Sequence, residues 1–174
     1  RPEQRPQLDE LRGHLHRVQQ RTRDLVSDLS PPGLYDLGLV PALQWLAVYL
    51  RSHDRLQVQV AGEVDEAAVP TARRVLVFKL VGELLRNVVR HAGVETATVA
   101  VHGDRERLTV TVADEGRGFA WEPDMLTNPP RGFGLWSIGS RLAEFGGQLH
   151  VDTAPDRGAR FTLELPLRSA PAAP

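Results

Sequence analysis

Three polar residues with helical spacing are the first candidates for chemistry. Glu83, Asn87 and His91 recur at every fourth position in a segment rich in Leu and Val, so a helix would carry all three on one stripe. An acid, an amide and an imidazole are costly to bury without partners. The stripe is therefore either the floor of a ligand site or the solvent-facing side of an amphipathic helix.

The types of these side chains suit a phosphate ligand with magnesium. Mg²⁺ takes few protein ligands and completes its shell with phosphate oxygens and water. Asn87 offers a neutral oxygen that does not repel phosphates, and Glu83 could hold a metal-bound water or accept a proton. His91 is better understood as a residue that caps or packs the helix end than as a metal ligand.

A second motif, Asp-Glu-Gly-Arg-Gly, follows a predicted strand at residues 114–118. An ionised Asp114 only accepts hydrogen bonds, so it could bind the exocyclic amine of a purine. Gly116 and Gly118 would let the backbone approach a flat ligand closely. The alternative is a tight turn that the aspartate caps.

A third motif, Gly132-Phe133-Gly134-Leu135, leads into a predicted helix. Glycines ahead of a helix expose backbone N–H groups and the positive end of the helix dipole to an anion, such as a phosphate tail. A Gly-x-Gly that stands alone also occurs in turns that bind no ligand. The three motifs together, in this order, indicate a nucleotide site.

The spacing of apolar residues predicts the elements that position these motifs. Helices are expected at about 38–52, 70–92 and 134–145, and strands at 56–62, 96–101, 108–113, 148–153 and 160–165. This order predicts an α/β (α+β) two-layer sandwich, in which helices cover one face of a mostly antiparallel, mixed sheet.

The N-terminal segment carries a narrow apolar seam of the coiled-coil type, which requires a partner helix. The seam consists of Leu8, Leu11, Leu15, Val18, Leu25 and Leu29. Pro31 and Pro32 are expected to end this helix. Because the chain opens Arg-Pro-Glu-Gln without Met, we expect it to be a piece of a longer protein.

Composition excludes several classes of function. The 174 residues carry a net charge of -1 and are 41% hydrophobic, which favours a globular fold and does not favour nucleic acid or a membrane surface as a partner. The absence of cysteine excludes disulfides and thiolate metal sites. No apolar run reaches the ~18–20 residues of a membrane span.

Taken together, the motifs resemble those of a known family. The segments ELLRNVVRHA, DEGRGF and GFGLWSIGSRLAEFGG resemble the N, G1 and G2 boxes of the Bergerat (GHKL) ATP-binding domain of histidine kinases, gyrase-type topoisomerases, heat-shock protein 90 and mismatch-repair ATPases. The segment SDLSPPGLYDLGLVPALQWLA is similar to a signature of the sensor histidine kinases that pair with LuxR-type response regulators, the nitrate- and membrane-fluidity-sensor type.

The resemblance implies a role for each motif residue. Asn87 would bind Mg²⁺, Glu83 would assist the attacking group or its water, and Asp114 would read N6 of adenine. Gly116 and Gly118 would shape the base pocket. Residues 119–131 would form a nucleotide lid. The other nucleotide-binding residues that it implies are Arg90, His91, Phe119, Gly132, Gly134, Leu135 and Thr162.

The resemblance also implies an activity and a domain organisation. Mg-ATP would supply its γ-phosphate to a histidine, and the phosphate would pass to an aspartate of a response regulator. Residues 1–33 would be part of a dimerisation helix that makes a homodimer, 34–167 the ATP-binding domain and 168–174 a disordered tail. The location would be cytoplasmic, alone or as the cytoplasmic part of a membrane-anchored sensor.

One departure from the family leaves alternatives open. His14 and His16 do not match the phosphoacceptor context, so the acceptor histidine is expected to lie outside this chain. A nucleotide-gated pseudokinase or interaction module would lack turnover, and an anti-sigma-type serine kinase would use the same fold with another acceptor.

Overall fold

The computed structural model describes residues 32–122 and 133–168. The predicted dimerisation helix and most of the predicted lid lie outside the described residues. None of the described helices is both long enough and apolar enough to cross a bilayer. The helices are α1 (Pro32–Asp36), α2 (Leu39–Asp54), α3 (Thr71–Asn87) and α4 (Phe133–Ala143), with a 3-10 turn at Glu66–Ala68 and a π-helical turn at Val88–Ala92.

Five strands form one mixed sheet in the order β1-β2-β3-β5-β4. β1 pairs with β2 in parallel, because α3 lies between them in the chain, and the other three pairings are antiparallel. The predicted fold class is confirmed. The strands are β1 (Gln57–Val64), β2 (Thr96–Gly103), β3 (Arg107–Asp114), β4 (Gln148–Thr153) and β5 (Ala159–Pro166).

The core lies between the sheet and the helices. β2, β3 and β5 bury alternate residues, as expected for strands with one covered face. Leu80, Leu84 and Leu85 of α3 are fully buried against that face. No polar or charged side chain is buried anywhere in the described part of the chain. Polar groups that carry function therefore stand at the margin of this core.

The structure corrects two predicted boundaries and adds one short helix. Pro32 begins α1, which was not predicted, and a proline fits there because the first turn of a helix needs no N–H donor. β1 continues to Val64, through residues that the sequence predicted to be a connection. The long predicted helix divides at Asn87, where α-helical hydrogen bonding gives way to the π-helical turn.

Glu66 caps the beginning of α2 from a distant point in the chain. Its two carboxylate oxygens accept the backbone N–H groups of Leu39 at 2.9 Å and Val40 at 3.1 Å. Arg74 of α3 lies beside the same carboxylate, with Nε 3.7 Å from Oε2. A negative group at a helix N-terminus satisfies free N–H donors and the helix dipole. Glu66 thereby joins α2 to the beginning of α3.

We predict that Glu66→Ala lowers the free energy of unfolding by about 1–2 kcal/mol, the usual cost of losing an N-cap. Urea denaturation followed by circular dichroism would measure the change. Glu63→Ala, which removes an equal charge from an exposed position on β1, is the control and should have little effect. Equal stability of the two variants would contradict the capping role.

Candidate functional site

A cavity of about 400 Å³ lies where the end of α3 meets β3, β5 and the beginning of α4. Its volume falls in the range of small-molecule sites, roughly 300–1,000 Å³. All three motif segments singled out in the sequence contribute to its wall. The lining residues are Asn87, Val88, His91, Ala92, Asp114, Gly118, Phe119, Gly134, Leu135, Ala159 and Phe161.

The predicted stripe reaches the cavity at its C-terminal end, beside the π-helical turn. A π-turn is wider than an α-turn and is often found at functional sites. Asn87, the last residue of α3, and His91 within the π-turn both line the cavity. Glu83 belongs to the regular α-helix and does not line it. Arg90 is exposed and also lies outside the lining.

Asp114 is the last residue of β3 and lines the cavity. Its Oδ1 accepts the backbone N–H of Gly116 at 2.9 Å. Burial raises the pKa of the Asp114 carboxyl above its ordinary value, and hydrogen bonds from the backbone N–H groups of Gly116 and Ala159 oppose that rise. A partly buried acceptor with this orientation can receive an N–H donor from a ligand.

Two aromatic rings form an apolar part of the wall near Asp114. Phe119 and Phe161 lie nearly parallel, with an interplanar angle of 22° and centroids 6.5 Å apart. Trp121 meets Phe119 edge to face at 6.0 Å. Flat apolar surfaces of this kind favour a flat ring as ligand.

Gly116 and Gly118 allow neighbouring backbone segments to lie very close together. Gly118 has a φ of 53°, and a Cβ there would lie 2.0 Å from the carbonyl oxygen of Ala154. A Cβ at Gly116 would lie 2.4 Å from the carbonyl oxygen of Ala92. Gly118 lines the cavity, whereas Gly116 lies behind the wall. The sequence predicted an approach to a ligand, and the structure shows an approach to the chain itself.

The first turn of α4 meets α3 beside the cavity. A Cβ at Gly134 would lie 3.9 Å from Nδ2 of Asn87 and 3.9 Å from Oε1 of Glu83. Leu135 follows in the lining, and Gly132 lies outside the described residues. The described residues contain no group of His, Asp and Glu side chains able to hold a metal ion by themselves. Asn87 could supply one oxygen ligand to a cation such as Mg²⁺, which takes its remaining ligands from a bound molecule and water.

Thr162 lies away from the cavity. It alternates with Phe161 on β5, so its side chain is on the opposite face of the sheet, where its Oγ1 is 3.4 Å from Oγ1 of Thr111. The predicted place beside the phosphates therefore does not match this structure. Phe161 and Ala159 were not predicted from the sequence. They reach the site because β5 pairs with β3, with Ala159 opposite Asp114, and that pairing joins segments far apart in the chain.

A larger open groove of about 1030 Å³ runs along the same end of the sheet. It shares Asp114 and Ala159 with the cavity, but polar and charged residues from strand ends line most of it. It includes neither Asn87 nor Gly134. The three motifs converge on the smaller cavity, which is therefore the candidate ligand site.

Residues 72–169 match the family model described as histidine kinase-, DNA gyrase B-, and HSP90-like ATPase. The chain belongs to this ATPase family. The match begins at the second residue of α3 and extends beyond β5, so it includes every described residue of the cavity. Membership in this family indicates that the domain binds ATP.

Curated relatives of the ATPase domain are sensor kinases. The chain is 32% identical over 154 residues to sensor histidine kinase NarS of Mycobacterium tuberculosis, covering 88% of this chain and 35% of that protein. It is 28% identical over 145 residues to histidine-protein kinase/phosphatase DegS of Brevibacillus brevis, covering 83% of this chain and 36% of that protein. The chain thus spans about a third of the length of these relatives.

Solved structures of histidine kinases share the fold of the ATPase domain. A blue-light-activated histidine kinase of Erythrobacter litoralis superposes with a TM-score of 0.56 at 24% identity, covering 74% of this chain and 42% of that one. Histidine kinase AdeS of Acinetobacter baumannii gives 0.59 at 13% identity, covering 92% and 84%. These likenesses show the fold alone.

The raised pKa of Asp114 predicts the effect of replacing it. The folded state binds this proton more tightly than the unfolded chain, so the associated stabilisation is present at low pH and is lost as pH rises through the folded-state pKa. Asp114→Asn should therefore leave the melting temperature at pH 7 unchanged or higher. The difference from wild type should shrink as the pH falls towards about 4.

Asp104 is a suitable control because its pKa is shifted in the opposite direction. Backbone N–H groups of Glu106 at 2.7 Å and Arg107 at 2.8 Å lower the pKa of Asp104. That stabilisation is present above the ordinary pKa and is lost as pH falls through the lowered one, so Asp104→Asn should melt lower at pH 7. Scanning calorimetry of both variants checks the pair. If Asp114→Asn lost as much stability at pH 7 as Asp104→Asn, the Asp114 carboxylate would be stabilising the fold.

Proposed function

We propose that this chain is the catalytic, ATP-binding part of a sensor histidine kinase. The convergence of Asn87, Asp114 and Gly134 from three distant segments on one cavity carries the proposal. The sensor kinases among its relatives support a histidine as phosphate acceptor. The resemblance of residues 27–47 to the LuxR-paired subfamily supports a LuxR-type regulator as the partner that next receives the phosphate.

Asp114 and the aromatic wall would recognise adenine. The Asp114 carboxylate would accept the N6 amine, since its position at the end of β3 leaves it in the cavity wall. Phe119 and Phe161 would contact the faces or edges of the base. A site built to pair an amine discriminates against bases that lack one, because the buried acceptor would be left without a partner.

The other part of the cavity would hold the phosphates. Asn87 would supply an amide oxygen to Mg²⁺, which neutralises phosphate charge when bound. Gly134 and Leu135 would contact the phosphates from the first turn of α4. Three further parts would complete this region. Gly132 would be a hinge, Arg90 would supply positive charge near the phosphates, and residues 119–131 would form the lid.

Glu83 would assist the attacking imidazole at the edge of the cavity. Its Oε1 lies beside Gly134, next to Asn87. Phosphoryl transfer depends mainly on positioning and on charge neutralisation, so a fixed carboxylate can orient the incoming histidine. That histidine would come from a helix outside this chain, brought close by a homodimer that the seam in residues 8–29 would form.

We predict that Asn87→Ala abolishes the magnesium-dependent part of nucleotide binding without unfolding the chain. Isothermal titration with a non-hydrolysable ATP analogue, with and without Mg²⁺, would measure the affinity. Wild type should bind more tightly when Mg²⁺ is present, and the variant should show no such gain.

Gln148→Ala is the matched control, since it removes an exposed amide from β4 at a distance from the cavity. It should bind as wild type does. Unchanged, magnesium-enhanced binding by Asn87→Ala would remove Asn87 from the site. Absence of binding by a folded wild-type chain would refute the proposed function.

A further inference from the structure

An ion pair joins α3 to α4 immediately outside the cavity. Arg141 of α4 donates from Nη2 to Oε2 of Glu83 on α3. Its Nε also donates to the carbonyl oxygen of Ser137, one turn earlier in α4, at 3.2 Å. A guanidinium that is held at two points has its direction set by the helix that carries it.

The two oxygens of Glu83 have different neighbours. Oε2 is engaged by Arg141, whereas Oε1 is the oxygen that faces Gly134 in the first turn of α4. Gly134 and Asn87 both line the cavity. The contact with Arg141 thus leaves one oxygen of Glu83 directed to the cavity edge, close to the residue proposed to hold Mg²⁺.

The exposure of the pair argues against a mainly stabilising role. The side chains of Arg141 and Glu83 are 38% and 23% exposed. Ion pairs in contact with solvent contribute little to stability. Loss of this pair should therefore change the orientation of Glu83 much more than it changes the stability of the fold.

We propose that Arg141 is a positioning residue for phosphoryl transfer and that it acts through Glu83. The inference rests on the proposed function, in which Glu83 orients the attacking histidine. With Oε2 held, the carboxylate keeps one orientation and presents Oε1 to the incoming imidazole. α4 carries Gly134 at the cavity and Arg141 two turns later. A ligand that contacts Gly134 and the side chain that orients Glu83 are therefore connected by the same helix.

The test measures the rate of phosphohistidine formation at saturating Mg-ATP in the full-length kinase that carries this chain. Arg141→Ala should reduce that rate about tenfold to a hundredfold, the size of effect expected when a reacting group is misplaced. The dissociation constant of the ATP analogue and the melting temperature should not change. Arg107→Ala, which breaks an exposed pair with Glu164 at 3.0 Å, is the control and should retain the wild-type rate.

Two further variants separate a positioning role from a structural one. Arg141→Lys keeps the charge and should recover part of the rate. If Arg141 acts through Glu83, the double variant with Glu83→Gln should be no slower than Glu83→Gln alone.

Three outcomes would overturn the inference while leaving the proposed function intact. They are a wild-type rate for Arg141→Ala, a lysine variant no faster than the alanine variant, and a fall in rate matched by weaker nucleotide binding and lower melting temperature. A wild-type kinase that binds no nucleotide and forms no phosphohistidine would refute the proposed function, and the inference with it.

Discussion

A junction of backbone hydrogen bonds at the end of β3 holds the candidate site together. The N–H of Arg117 donates to the carbonyl oxygen of Ala92 at 3.0 Å, and the N–H of Gly158 donates to that of Gly116 at 2.8 Å. Three segments, the π-helical turn, the turn after β3 and the β4–β5 connection, therefore meet without intervening side chains. Only residues without a Cβ allow this approach at positions 116 and 118. The cavity wall depends on the junction because it fixes Asp114 relative to the end of α3.

The apolar core accounts for the positions of the functional polar groups. The described residues include no buried polar side chain, since an unpaired polar group inside the core would cost free energy. Asn87 stands at the boundary between α3 and the π-helical turn. Asp114 occupies the corresponding boundary at the end of β3, where partial burial raises its pKa. The polar groups that we propose as ligand contacts therefore lie at the rim of the sandwich, where they can meet both ligand and water.

The opposite side of the cavity is built differently from the junction. α4 meets α3 through Gly134, which lies against Asn87 and Glu83, and through the ion pair of Arg141 with Glu83. These contacts involve side chains with partial solvent exposure, whereas the junction consists of backbone hydrogen bonds. Side-chain contacts of this kind are weaker and can rearrange. The wall that we propose for the base is thus held by backbone hydrogen bonds, whereas the end that we propose for the phosphates is held by side-chain contacts that can rearrange.

The sequence by itself determined the fold class, the helical stripe and the three motifs, because each depends on local periodicity or on glycines at fixed spacing. Asn87 and Asp114 could be predicted for the same reason, since each stands within a motif. Tertiary structure alone decided that Thr162 points away from the cavity and that Phe161 points into it, because strand register sets the face of a side chain. It also decided the partner of Glu83, since Arg141 is 58 residues away in the chain. No periodicity within one element encodes such a contact; it exists only once α3 and α4 pack on the same sheet.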